Sequence, residues 1–271
     1  MKTAESEGDD LDKVEKEYLQ FVELLTTMST PHGEPRTYNE ASESSDKDQW
    51  RATMQEEVNS LVEMQVWERV PRPKDQNVVG CKWVYRLKFN AQGEVVRYKA
   101  RLVAKGYSQV DGLDYNETFA PVTRLETIRL LFALAVKKDW EIRQIDVKTT
   151  YLYGDLDKEI FMEIPEGLPN PKGEVFRLKK ALYGLKQAGR QWYLKLKSVL
   201  STFGLKQVAS EPHTFVAHKV VDNVKCTLIL PIYVDDLFPI GDTVLVDEFQ
   251  SWIGESFNVT IIGDVSYFLG I

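Results

Sequence analysis

Residues 230–242 read LPIYVDDLFPIGD. Two adjacent carboxylates, Asp235 and Asp236, interrupt an apolar run, with Tyr233 and Val234 before them and Leu237 and Phe238 after. Charge is costly to bury unless it is paired or bound to a metal. The flanks have the length and composition of strands, so the aspartates mark a tight turn. Upstream, TFVAHKV and VKCTLILPIYV form a strand pair ending at that turn, and Leu237 to Ile240 returns as a strand. Pro239 falls in the return. Proline has no N–H and is poorly tolerated in a central strand, so a weakened return strand is expected.

A turn of this kind can bring its carboxylates beside a third on a neighbouring strand. WEIRQIDV, residues 140–147, reads as a strand with Asp146 near its end. Clustered carboxylates repel and raise one another's pKa unless a cation neutralises them. Oxygen ligands of this type suit Mg²⁺. Two such ions about 4 Å apart can activate an attacking hydroxyl and stabilise a leaving oxygen, the chemistry of nucleotidyl transfer. An ordinary surface Asp-Asp turn is the competing reading, and the residues alone leave both open.

The rest of the chain surrounds this turn with mixed elements. Trp50, Met54, Val58 and Leu61 recur at helical spacing, predicting a helix over 46–65. VVGCKWVYRLKFN and EVVRYKARLVAKG alternate as a hairpin turning at residues 90–93. Trp83, Tyr85, Leu87 and Phe89 share one face of its first strand, and Val96, Tyr98, Ala100 and Leu102 one face of its second. Arg97, Lys99 and Arg101 fall on the opposite face of the second strand as a cationic stripe suited to phosphate, with a plain solvated face as the alternative. Helices are expected over 126–138, 187–203 and 243–255, with strands at KEIFMEI, EVFRLKK, FNVTII and SYFLGI. Strands and helices mix without strict βαβ alternation, which indicates α+β with an antiparallel core.

Composition narrows the class. The 271 residues are 43% hydrophobic and 28% charged, ordinary for a soluble globular protein. No apolar run is long enough for a membrane span and the acidic N-terminus lacks a signal peptide's apolar core, so no membrane partner is expected. Cys81 and Cys226 lack metal or redox spacing, so reduced thiols inside a cell are expected. Net charge is −7, but residues 1–50 hold 13 acids and 5 bases, which leaves the remainder at +1. Two blocks are strongly basic: residues 82–105 carry seven bases and one acid, and residues 175–206 carry eight bases and no acid. That distribution predicts a phosphate-binding surface. Residues 1–45 read as an acidic, mostly disordered tail or linker, with order beginning near Asp46.

Five stretches carry a more specific signal: RYKARLVAKGYSQVDGLDYNETFAPVTRLETIR, QIDVKTTYLYGDLDKEIFMEIPEG, LKKALYGLKQAGRQWY, IYVDDL and YFLGI. In order and spacing they resemble the reverse transcriptase of copia-type LTR retrotransposon polyproteins, from about Trp50 to Ile271. The resemblance implies a right-hand polymerase occupying residues 46–271, with a fingers hairpin at about 78–105 and an antiparallel palm sheet, backed by helices, at about 140–271. No thumb or RNase H segment is expected within the chain.

The resemblance also implies roles. Asp146, Asp235 and Asp236 are the expected catalytic carboxylates. With the carbonyl of Val147 they are the ligands of two Mg²⁺ ions, or of Mn²⁺. Tyr151 is the expected steric gate against a ribose 2′-hydroxyl, and Gln187 the residue positioning nucleotide and template. Arg97, Lys99 and Arg101 clasp the triphosphate, and Leu269 and Gly270 form the primer grip. The implied reaction is RNA-directed DNA polymerisation from dNTPs on a primed RNA or DNA template, alongside other parts of the polyprotein. A cytoplasmic setting in virus-like particles, or a nuclear one, follows by analogy. The competing expectation is a decayed copy, folded but inactive or only binding nucleic acid. Thr150, Tyr153, Gly189, Phe238 and Pro239 depart from the family pattern.

Overall fold

The opening stretch folds as the end of one strand, a tight turn and the start of a return strand, in a computed structural model that describes residues 33–90 and 92–265. In chain order its elements are α1 (Tyr38–Glu43), α2 (Lys47–Glu63), β1 (Trp67–Pro71), β2 (Val78–Val79), β3 (Cys81–Phe89), β4 (Val95–Ala104), α3 (Leu125–Lys138), β5 (Glu141–Val147), β6 (Asp155–Met162) and β7 (Glu174–Lys180). They continue with α4 (Ala188–Phe203), β8 (Lys206–Val208), β9 (Glu211–Val221), β10 (Val224–Tyr233), β11 (Asp236–Leu237), β12 (Ile240–Gly241), α5 (Thr243–Ser256) and β13 (Val259–Asp264). This is the expected α+β class. The chain divides into two units, Met1–Met54 with Trp83–Arg101, and Gln55–Lys82 with Leu102–Ile271.

The larger unit is built on a seven-stranded sheet in the order β11-β5-β12-β10-β9-β8, with β13 added on β5 and β11 also paired to β10. Every pairing in it is antiparallel. Side chains alternate across a strand, so the sheet has two apolar faces. Ile145, Val147, Leu228, Leu230 and Leu237 pack with α4 and α5 residues such as Leu196, Leu200 and Phe249. On the other face Phe238 and Ile240 pack with Ile128, Phe132 and Ala135 of α3. α4 forms because Trp192, Leu196, Leu200 and Phe203 repeat at helical spacing, and it ends at Gly204, whose φ of 96° is the left-handed cap that glycine adopts freely. A second sheet, β1-β7-β6-β2, pairs antiparallel except where β2 runs parallel to β6.

The smaller unit pairs the N-terminal part of α2 with the β3–β4 hairpin. Trp50 meets Tyr85 and Tyr98 edge-on at centroid distances of 5.2 and 4.8 Å. Thr53 accepts from the Ala100 N–H at 3.2 Å. At the hairpin turn Asn90 Oδ1 accepts from the N–H groups of Gln92 and Glu94, and Gly93 takes a φ of 80°. The apolar faces expected along the whole hairpin are buried only at its base: Trp83 and Tyr85 are enclosed, whereas Val96 is 60% exposed. Alternation fixes which side a residue faces, and packing partners decide whether that side is covered.

One expectation is corrected and another is met. Order does not begin at Asp46, because α1 forms with Thr37 accepting from the Glu40 N–H, and Glu34 binds both Arg86 and the Leu87 N–H. The return strand is weakened at Pro239, as expected: Phe238 and Pro239 stand outside the two short strands β11 and β12, but the register is not lost. β11 and β12 hold the same register against β10 on both sides of Pro239, and the same is true against β5. The Pro239 carbonyl accepts from Arg143 N–H at 3.1 Å, and Phe238 N–H donates to Pro231 at 3.1 Å. Proline costs one ladder donor here, while Phe238, fully buried, anchors the strand through its side chain. The expected strand SYFLGI lies outside the described residues.

Candidate active site

The carboxylates meet by strand register. Asp236 stands directly opposite Asp146 across the β11–β5 pair, and the Asp235 carbonyl accepts from the Val147 N–H at 2.9 Å. Residues opposite one another on neighbouring strands face the same side, so Asp146 and Asp236 share the face that carries Gln144. Gln144, two residues before Asp146, donates to Asp236 Oδ1 at 2.8 Å. Burial first, then the charges of Asp235 and Asp146, push the Asp236 carboxyl above its ordinary value, against the pull of the Gln144 hydrogen bond.

The turn itself is held under strain. Val234 has a φ of 58°, a left-handed conformation that is an outlier for a β-branched residue. Strain of this kind costs on the order of 1–3 kcal/mol and persists only where the surroundings impose it. Here Trp192 Nε1 donates to the Val234 carbonyl at 2.8 Å, tying the turn to α4. Thr149, next to the end of β5, is likewise left-handed at φ 50°.

The donor set fits a hard divalent cation in kind: three carboxylates, and a Val147 carbonyl that accepts from Thr150 Oγ1 at 2.8 Å and keeps a second lone pair. Burial is the main cause of the rise at Asp236, with the charges of Asp235 and Asp146 adding to it, and a cation at this turn would offset both. Among the described residues, no three His, Cys, Asp or Glu side chains are gathered closely enough to hold a metal ion. The carboxylates are neighbours by register, with Asp236 turned onto Gln144.

Tyr151 lies in the short 3₁₀ turn Thr150–Tyr153 that follows β5, half-buried and edge-on to Tyr183 at 4.8 Å. Thr150 and Tyr153 both have structural work: Thr150 bonds Val147 as above, and Tyr153 accepts from Asn258 N–H at 2.8 Å and packs on Phe257. Gln187 is 0% exposed. Its Oε1 accepts from Gln109 at 3.1 Å and its Nε2 donates to the Asp114 carbonyl at 2.9 Å. Direct contact with a nucleotide is therefore closed to it in this arrangement; it fixes the 105–115 loop at the start of α4. Gly106 and Gly184 allow that loop its close approach, since a Cβ at Gly184 would lie 2.1 Å from the Ala104 carbonyl oxygen.

The cationic stripe lies in the smaller unit. Arg97 is exposed, while Lys99 and Arg101 are half-buried. Among the described residues, four of the eight bases in the second basic block are paired with acids. Arg177 pairs with Glu68 and Glu159, Lys179 with Glu68 at 2.7 Å, Arg190 with Glu117 at 2.5 Å and Lys195 with Asp155 at 3.7 Å. A count of one segment's charges omits the acids that strand pairing brings across. Leu269 and Gly270 lie outside the described residues. No helix among the described residues is long and apolar enough to cross a membrane.

Sequence reading missed Gln144, Gln109 and Thr123. Gln144 had a weak signal, two positions before Asp146 on a strand. Thr123 had none: it accepts from Ile232 N–H at 3.2 Å and donates to the His213 carbonyl at 3.0 Å, tying the segment before α3 to β9 and β10.

Residues 64–271 match the family described as reverse transcriptase (RNA-dependent DNA polymerase). The chain is 40% identical over 249 residues to the retrovirus-related Pol polyprotein from transposon RE2 of Arabidopsis thaliana, covering 90% of this chain and 17% of that protein. It is 39% identical over 241 residues to the one from transposon TNT 1-94 of Nicotiana tabacum, covering 88% of this chain and 18% of that protein. The chain thus spans less than a fifth of the length of these relatives. Among solved structures it is similar to a foamy virus protease–reverse transcriptase in complex with double-stranded DNA, at 11% identity and a TM-score of 0.40, over 82% of this chain and 33% of that one. The chain belongs to the reverse transcriptase (RNA-dependent DNA polymerase) family, and its relatives named above are Pol polyproteins of copia-type retrotransposons.

Proposed function

We propose that this chain is the fingers and palm of an RNA-directed DNA polymerase, extending a primer 3′-hydroxyl with dNTPs on an RNA or DNA template. The observation that carries the reading is the register that sets Asp236 opposite Asp146 beside the strained Asp235 turn. Asp146, Asp235, Asp236 and the Val147 carbonyl would hold two Mg²⁺ or Mn²⁺ ions, which would supply charge neutralisation and hydroxyl activation.

The protein's own contribution is position. Asp146 is fixed by a strand buried on both flanks, and Asp235 by its bond to Val147. Gln144 holds Asp236. Tyr151 bounds the space for the incoming sugar and excludes a 2′-hydroxyl by bulk. Gln187 acts through the loop it holds. Arg97, Lys99 and Arg101 offset triphosphate charge, and Leu269 with Gly270 steadies the primer end. The template is held by its phosphates, so binding is independent of sequence and weakens steeply with salt. The remaining Pol segments are partners in this work, carried out in cytoplasmic particles or the nucleus.

Primer extension on a homopolymer RNA template with Mg²⁺ tests the proposal. The wild-type chain extends the primer. Asp235→Asn lowers extension about 1,000-fold or more while template affinity stays within about twofold. Undiminished extension by that variant overturns the site. Template binding without any wild-type extension would instead favour a non-catalytic nucleic-acid-binding remnant.

A further inference from the structure

Behind the aspartate turn lies a cavity of about 150 Å³, walled by Trp192, Tyr193 and Leu196 of α4, Ile232 and Val234 at the end of β10, and His213 of β9. The segment 120–122, Tyr151 and Gly189 complete it. The lining is mostly apolar, and His213 stands out among its few polar side chains. Its ring is 5% exposed, stacks at a tilt on Tyr193 at 4.5 Å, and neither ring nitrogen has a hydrogen-bond partner.

Buried polar groups are nearly always hydrogen-bonded, so an orphaned imidazole facing a cavity calls for an explanation. Water is a poor one. A buried water needs two to four polar partners, and beside the imidazole the lining side chains carry only the tyrosine hydroxyls and the indole N–H, of which Tyr193 is already bonded to Pro212 and Gln207 and Trp192 to Val234. A charged ligand would be stripped of water with no opposite charge to meet. An apolar cavity of about this volume takes one aromatic ring the size of benzene. A neutral imidazole offers one donor and one acceptor. Trp192, Tyr193 and Tyr151 present ring faces and edges suited to aromatic packing.

We propose that this cavity is a binding site for a neutral, single-ring aromatic bearing one hydroxyl or ring N–H, which packs against Trp192 and Tyr193 and hydrogen-bonds His213. The site shares Tyr151 with the proposed nucleotide site and Trp192 and Val234 with the aspartate turn, and its test reads ligand binding rather than polymerisation, so the two readings can fail separately.

The test uses the full chain with phenol, anisole and benzene as probes, followed by ligand-observed NMR and by the imidazole ¹⁵N shifts of His213. Phenol is expected to bind in the millimolar range, roughly tenfold more tightly than anisole, which has the same ring without the donor. Phenol shifts the His213 nitrogens and benzene does not. His213→Phe removes the preference for phenol, and Ala120→Leu, which adds bulk to the lining, weakens all three. The phenol–anisole comparison needs no variant, so it holds even where a substitution fails to fold. Equal affinity for phenol and anisole, or no His213 shift at 20-fold excess of phenol, overturns the proposal.

Discussion

The aspartate turn and the β3–β4 hairpin are both strand–turn–strand units with charge on one side, and they are built in opposite ways. Around the turn, the return strand is paired on both flanks, covered by α3 on one face and by α4 and α5 on the other. The hairpin has a core only at its base, and its tip carries exposed Val95, Val96 and Phe89. The difference follows from what each charge must do. Carboxylates that are to share a cation must be held against their own repulsion, which takes a packed surround. Cations that are to meet a phosphate need reach, and long side chains on a hairpin with an exposed tip supply it.

The sharpest way to break this comparison is to remove packing from each region. Phe238→Ala should cost about 3–5 kcal/mol, since the ring is fully buried between the sheet and α3. Val96→Ala, at the hairpin tip, should change stability by less than about 0.5 kcal/mol. Urea midpoints of the two variants check both figures. Similar losses would mean that the hairpin tip is as tightly packed as the turn.

How far the sequence could anticipate this contrast depended on whether the signal was local. β7 falls where EVFRLKK was read, α3 differs by one residue at its start, and the Asp-Asp turn is where the apolar flanks required it. These rest on periodicity and turn chemistry, which nearest neighbours set. What was not legible rests on partners distant in sequence. Pro239 does interrupt the strand, but the register survives, and the Phe238 ring packing beside it comes from α3, about a hundred residues earlier. The block 175–206 looked basic because Glu68 and Glu117 were not in the window. Gln187 was legible as important and not as buried, since the loop that encloses it begins some eighty residues upstream.

Acid should separate the two regions more gently. Burial pushes the His213 imidazole down from 6.5 to about 4. The folded state therefore binds fewer protons than the unfolded chain between those values, and stability rises with pH across the window. The contribution of a neutral His213 is complete above about pH 6.5 and is lost as pH falls towards 4. Urea midpoints measured from pH 7 to 4 should fall for the wild type and fall less for His213→Phe. A tryptophan signal at Trp192, beside this cavity, should lead the change. Parallel pH curves for the two proteins would place the acid sensitivity elsewhere.

The smallest expected effect lies on the hairpin. Arg97 is exposed near the tip, so removing it disturbs no core, and Arg97→Ala should leave the urea midpoint unchanged within error. If the stripe meets nucleic-acid or triphosphate charge, the loss must appear in salt dependence, because each phosphate contact releases counterions. The slope of log affinity against log salt should fall by about 0.9 for a duplex, with template affinity weakened a few-fold and equally for every template sequence. A variant with an unchanged slope and full extension would make the stripe a solvated face. The comparison would then reduce to one functional turn and one structural hairpin. An altered slope with a normal urea midpoint would leave the carboxylates working through packing and the cations through exposure.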